Sequence, residues 1–229
     1  MLHARLAIPL MSSLLVLSSV VQLAGAIQAP VTAPPYGAES PQAVVAALER
    51  ASASHDPGAM VALISPTGRR QLAQELVTDV LIVLRMANPD SLPPGTPPRP
   101  AAEIEVQRTT YGKAVDLVRQ ALAPHGLDEF IGSPPLADEV ATAMGAALDR
   151  TDTVRLLAAV IPLLGQLGGV LGFEDAAPPP FVMDLGPVTD YEIASDRATA
   201  KAASETLEFV RIDGRWYLAP PAGAPPGRR

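Results

Sequence analysis

Apolar residues recur every three or four positions along most of this chain, then shift to every second position near its end. The first period belongs to a helix with one buried stripe, the second to a strand with one buried face. Val44, Val45, Leu48 and Ala51 form such a stripe, with Glu49 and Arg50 off it, and predict a helix over 41–54. Met60, Val61, Leu63 and Ile64 predict a short helix over 57–64. Leu72, Leu76, Val80, Leu81 and Leu84 predict a third over 66–87, placed centrally because its 80–84 stretch is apolar all round. Ile104, Val106 and the Thr109-Thr110 pair would suit a strand. Val115, Leu117, Val118 and Leu122 carry the helical spacing onward, however, so the segment reads as a helix over 101–123, weakened at Gly112. Leu136, Val140, Met144, Ala147 and Leu148 predict another over 134–149.

Helix starts are written as a cap residue followed by proline: Ser40-Pro41, Asp56-Pro57, Ser65-Pro66 and Ser133-Pro134. The cap side chain accepts a free amide of the first turn, and proline there has no hydrogen bond to lose. Thr151 is expected to cap a last helix beginning at Asp152. That helix leads into the uncharged stretch Leu156–Phe173, whose length suits a membrane span. Pro162 and the glycines at 165, 168, 169 and 172 interrupt it, and no basic cluster flanks it, so a buried hairpin or kinked core helix is expected.

Proline-rich breaks fall at 88–100 and 174–180. The PxxP spacings in the first read as a stiff surface loop rather than a recognition ligand. Beyond the second, Val188–Ile193 and Ala198–Ser204 predict strands around a turn at Ser195-Asp196-Arg197. The run Thr206–Ala219 predicts a hairpin about Asp213-Gly214, a dipeptide suited to positive φ at both turn positions. A two-residue turn pairs Ile212 with Arg215, Arg211 with Trp216, Val210 with Tyr217 and Phe209 with Leu218. Leu207, Phe209, Trp216, Leu218 and Arg211 then share one face.

The expected fold class is therefore α+β, with N-terminal helices on one face of a C-terminal antiparallel sheet of three to four strands. Residues 1–26 have the weakly basic start, apolar run and Ala24-Gly25-Ala26 site of a secretory signal. A second cleavage pattern ends at Ala29, and an uncleaved anchor over 6–27 is the alternative. Residues 27–39 are expected to be a disordered spacer, 40–219 a single domain with a helical middle section over 67–175, and 220–229 a disordered tail.

Two segments carry a family likeness. One is Ser-Pro-Gln-Ala-Val-Val-Ala-Ala-Leu-Glu-Arg-Ala over 40–51 followed by His-Asp-Pro-Gly-Ala-Met-Val-Ala-Leu-Ile-Ser-Pro over 55–66. The other is the closing Glu-Phe-Val-Arg-Ile-Asp-Gly-Arg-Trp-Tyr-Leu over 208–218. Together they resemble the nuclear-transport-factor-2-like (cystatin-like cone) superfamily, in an exported bacterial form with a long helical insertion. The resemblance implies a cone-shaped fold that opens with a helix and a short second helix and closes with a hairpin. It also implies either a non-catalytic domain or an isomerase, dehydratase or polyketide cyclase. No acid–base residue of those enzymes matches a position here.

Composition narrows the chemistry. The chain has no Cys, so disulfides, thiolate metal sites and thiol catalysis are excluded. A net charge of −7 argues against non-specific nucleic-acid binding and against docking on an anionic membrane. His3, His55 and His125 stand apart, with no zinc or calcium spacing, and His55 reads as a solvated turn residue. The Leu164–Gly169 glycines lack the lysine and preceding strand of a phosphate loop. Asp128-Glu129, Asp138-Glu139 and Glu174-Asp175 are adjacent pairs that diverge on a helix, so they suit solvated helix starts. No cofactor, metal or catalytic residue is assigned. Arg211, opposite Trp216 and beside Phe209, is either a cation stacked on the indole or the cation at the mouth of an apolar pocket. The expected function is an exported (periplasmic or extracellular) non-catalytic domain binding an apolar small molecule or a protein partner. The alternatives are an enzyme with an unidentified buried acid and a membrane-attached protein.

Overall fold

The computed structural model describes residues 36–91, 99–172, 185–203 and 205–220. The expected leader, most of the expected spacer, the Pro-rich 92–98 and 173–184 segments and the expected tail from 221 lie outside the described residues. Among the described residues six α-helices precede a four-stranded antiparallel sheet, so the α+β class stands.

Three of the Pro-linked caps form as their chemistry requires. Ser40 Oγ accepts from the Ala43 amide at 3.1 Å and starts α1 (Pro41–Ala53). The Asp56 carboxylate accepts from Ala59 at 2.9 Å and starts α2 (Pro57–Val61). Ser65 Oγ accepts from Gly68 at 3.2 Å and starts α3 (Pro66–Ala87). Each such cap stabilises by about 1 kcal/mol. The fourth expected start fails. Ser133-Pro134 opens a turn, closed by the Ala137 amide on the Pro134 carbonyl, and α5 (Asp138–Leu148) begins four residues later. Pro135 is the reason, because a residue before proline is pushed out of the helical region.

Helix α4 (Ala101–Leu122) is unbroken, so the helical reading of 101–123 holds and the strand alternative falls. Gly112 sits in its interior with open space where a Cβ would be. Gly112→Ala is therefore expected to stabilise the protein by about 0.8 kcal/mol, measured by urea denaturation. A drop in stability there would mean that the site is closed by something the helix geometry does not show.

Helix α6 (Thr153–Leu171) is capped by Asp152, not Thr151. The Asp152 carboxylate accepts from Val154 at 3.0 Å and Arg155 at 3.3 Å, while the Thr151 hydroxyl donates to the Ala147 carbonyl at 2.9 Å. A shorter, ionised acceptor near the helix start outcompetes the hydroxyl one residue back. The helix keeps Pro162 within it and ends at Gly172, whose φ of 76° closes it in the left-handed conformation. It is long and apolar enough to cross a membrane. In this fold it packs against α2, α3 and α4 as a core helix.

Buried residues fall into two cores. One is all helical, built by α3, α4, α5 and α6 around Val77, Val118, Met144 and Leu157. The other lies between α1 and the sheet, where Val44, Val45 and Leu48 meet Ala198, Ala200, Leu207, Phe209 and Trp216. Each large side chain so buried contributes about 1.5–3 kcal/mol.

The sheet is a meander, β1 (Thr189–Ala194), β2 (Arg197–Lys201), β3 (Thr206–Ile212) and β4 (Arg215–Leu218). The β3–β4 register follows the two-residue turn: Ile212 opposite Arg215, Arg211 opposite Trp216, Val210 opposite Tyr217, Phe209 opposite Leu218. Asp213 and Gly214 have φ of 50° and 78°, as a type I′ turn needs.

The far edge of β4 is covered by backbone from the N-terminal part. Ala38 and Trp216 exchange both amide bonds, at 2.9 and 2.7 Å, and Leu218 is held between Leu63 and Ser65 at 2.8 and 2.9 Å. Tyr36–Glu39, the end of the stretch expected to be spacer, thus forms part of the fold. The opposite edge, β1, carries an irregularity between Thr189 and Glu192 and a left-handed Asp190, φ 54°. Such bulges and edge charges disfavour pairing with another strand.

Candidate functional site

The face of the sheet turned away from α1 carries the outward residues of the alternation. On β2 these are Arg197 and Thr199, and on β3 Glu208, Val210 and Ile212. The start of α3 approaches this face because Ser65 is bonded to the end of β4. Between them opens a cleft of about 540 Å³. Ser65 and Thr67 line one side, Ala219 and Pro220 another, Val210 and Ile212 form an apolar floor, and Arg197, Thr199 and Glu208 stand at its border. That volume suits a small ligand, and the mix of apolar floor and a few polar groups is the usual composition of such sites.

Each polar group in the cleft has an identifiable state. Ser65 Oγ accepts from Gly68, which leaves its proton free to donate. Among the described residues Arg197 and Glu208 make no ion pair with each other or with another group. Among the described carboxylates only Asp128 and Glu208 are half-buried, and all others are exposed.

Beside the cleft stands a buried cation. Val210 of the floor faces Tyr217 across the strands, and the Tyr217 ring forms one wall around Arg69 of α3. The guanidinium carbon lies 5.0 Å from the Tyr36 ring centre and 5.9 Å from that of Tyr217. Arg69 is only 6% exposed, with one N–H donated to the Ala62 carbonyl at 3.1 Å and its Nε without a partner. Burial pushes the guanidinium below its ordinary pKa, partly offset by Tyr217, Tyr36 and Asp152. It stays charged at neutral pH, since arginine starts so far above it. The two rings hold each other in place: Tyr217 donates its hydroxyl to the Tyr36 carbonyl at 3.0 Å, and Tyr36 reaches Asp152 at 3.4 Å.

The residues singled out from the sequence are placed as follows. Trp216 is 5% and Phe209 1% exposed, both in the α1–sheet core. Phe209 also borders the cleft, which Trp216 and Arg211 do not. Arg211 shares Trp216's row but is exposed. The described cation–π contacts are those of Arg69. Sequence reasoning passed over Arg69, Arg197 and Glu208. Glu208 was findable, because the hairpin alternation that sends Phe209 inward sends Glu208 and Val210 outward; Arg197 was expected in the turn and instead opens β2. Among the described residues no group of His, Asp and Glu side chains could hold a metal ion. Comparison with protein families, with curated proteins and with solved structures finds no match.

Proposed function

We propose that this chain is an exported, non-catalytic binding module of nuclear-transport-factor-2-like build, and that its ligand is a small molecule seated in the cleft on the outer face of the sheet. The cleft carries the reading: an apolar floor of Val210 and Ile212 with Arg197, Glu208, Thr199 and Ser65 at its border. One further observation supports it. The opening helix pair and the Asp213-Gly214 hairpin, which bear the family likeness, are formed and joined through the edge of β4. Export rests on the leader pattern of residues 1–26.

The test uses the dye 1-anilinonaphthalene-8-sulfonate and Thr199→Trp, which places an indole over the floor. Wild type is expected to give saturable fluorescence with amide shifts at Val210 and Ile212, and Thr199→Trp to weaken it about tenfold with unchanged thermal stability. Undiminished binding by Thr199→Trp, or shifts confined to other residues, would reject the cleft. Export is checked separately by the mature N-terminus, expected at Ile27 or Pro30.

A further inference from the structure

We propose that Asp213-Gly214, at the tip of the β3–β4 hairpin, is a self-modification site that converts in the folded protein to an isoaspartyl-glycine bond. The reaction needs an aspartate carboxyl carbon within reach of the next residue's amide nitrogen. Glycine, with no side chain, hinders that nitrogen least. Asp213-Gly214 is the only Asp-Gly pair in the chain, and there is no Asn-Gly. Other aspartates are tied down. Asp56 precedes Pro57, which has no amide proton to lose. Asp90, Asp149 and Asp190 are paired with Arg108, Arg70 and Lys201, and Asp152 caps α6. Asp213 and Gly214 are both exposed. Among the described residues the Asp213 carboxylate has no hydrogen bond or ion pair, and the Gly214 amide has no acceptor. The space where a Gly214 side chain would stand is open.

The step balances without a cofactor. The Gly214 nitrogen bonds to Cγ of Asp213 and loses its proton, which leaves with a carboxyl oxygen as water. The product is a five-membered succinimide. Water then opens the ring at either carbonyl. Addition at Cγ restores aspartate. Addition at the main-chain carbonyl leaves Gly214 bonded through Cγ and frees the α-carboxylate, so the net change is an isomerisation. Ring closure requires Asp213 to leave the turn conformation, a local opening of two exposed residues that costs little beside unfolding. The product carries one more backbone carbon in a two-residue turn, whose register sets Ile212 opposite Arg215. Arg215 is anchored to the Gly37 carbonyl at 2.8 Å, so the extra atom is taken up on the Ile212 side.

The experiment incubates the purified full chain at physiological pH and temperature, folded and in urea, and follows the tryptic peptide Ile212–Arg215 by chromatography and mass spectrometry. Conversion gives a second peak of unchanged mass that resists a protease cutting before aspartate. The folded protein is expected to convert at a rate within about tenfold of the urea-unfolded chain, because the tip opens locally. Second amide signals should grow at Ile212, Gly214 and Arg215 and not at Val44 or Leu48. Asp213→Asn keeps the turn preference. It is expected to convert faster than wild type, losing ammonia in place of water, because a neutral amide is more electrophilic than an ionised carboxylate. A folded rate more than about tenfold below the urea rate would overturn the proposal, since the turn would then lock the pair. So would conversion at other aspartates of the folded protein as fast as at Asp213.

Discussion

Gly37→Ala is expected to cost about 3 kcal/mol and to lower the melting temperature by roughly 6–12 °C. Gly37 has φ of 79°, and a Cβ built there would lie 2.7 Å from the Tyr217 ring and 2.8 Å from the Trp216 carbonyl oxygen. Two costs add. A side chain in the left-handed region costs about 1–2 kcal/mol, and forcing a methyl into a filled site adds about 1–3 kcal/mol. Neither neighbour can yield cheaply. Tyr217 is held by its bond to the Tyr36 carbonyl, and the Trp216 carbonyl receives the Ala38 amide. The Gly37 carbonyl also accepts from Arg215 at 2.8 Å, and its amide donates to Ala62 at 3.2 Å. Relief can therefore come only by withdrawing the Tyr36–Glu39 arm, which uncovers the edge of β4. Thermal unfolding measures the loss, and Trp216 emission should shift red as that edge becomes wet. A melting temperature within about 2 °C of wild type would show that the arm does not hold the sheet.

Much of this fold is written locally, and the failures have local causes too. The caps at Ser40, Asp56 and Ser65 were legible because cap and proline act within one turn. Ser133 misled because the same two residues mean something else when Pro135 follows. Thr151 misled because Asp152, one step on, is the stronger acceptor. The hairpin register was legible to the residue, since a two-residue turn leaves one pairing only. What the sequence could not display is closure between distant segments. Periodicity separates inward from outward residues on each element, but it does not say that the apolar stripes sort into two cores. Nor does it say that Ser65 and Thr67 stand over the outer face of β3. Arg211 illustrates the limit: its face was legible, but its exposure depends on how far the α1 core reaches toward the hairpin turn. Arg69 is the extreme case. Between Gly68 and Arg70 it reads as one more polar residue at a helix start. Its burial is made by Tyr36 and Tyr217, from the two ends of the described chain.

Arg69 separates charge from volume in a way that substitution can measure. Arg69→Ala removes the side chain from between two rings and leaves a void beneath Tyr36. The loss of packing, with that of two desolvated cation–π contacts, is expected to total about 3 kcal/mol. Arg69→Met keeps most of the volume and discards the charge. The charge is costly where it stands, since Nε has no partner and burial already lowers the guanidinium pKa. Its one bond, to the Ala62 carbonyl, leaves no orphan when removed, because the Gly37 amide also donates to that oxygen. The lost ring attraction and the released desolvation therefore oppose each other. Arg69→Met is expected within about 1 kcal/mol of wild type by chemical denaturation. If Met proves as damaging as Ala, the cation itself is what the rings need. Tyr36→Phe then becomes informative: it keeps the ring over Arg69 and removes only the 3.4 Å bond to Asp152. Little change in that protein would place the stabilisation in the ring face, and a loss as large as that of Arg69→Ala would place it in the link to Asp152 at the start of α6.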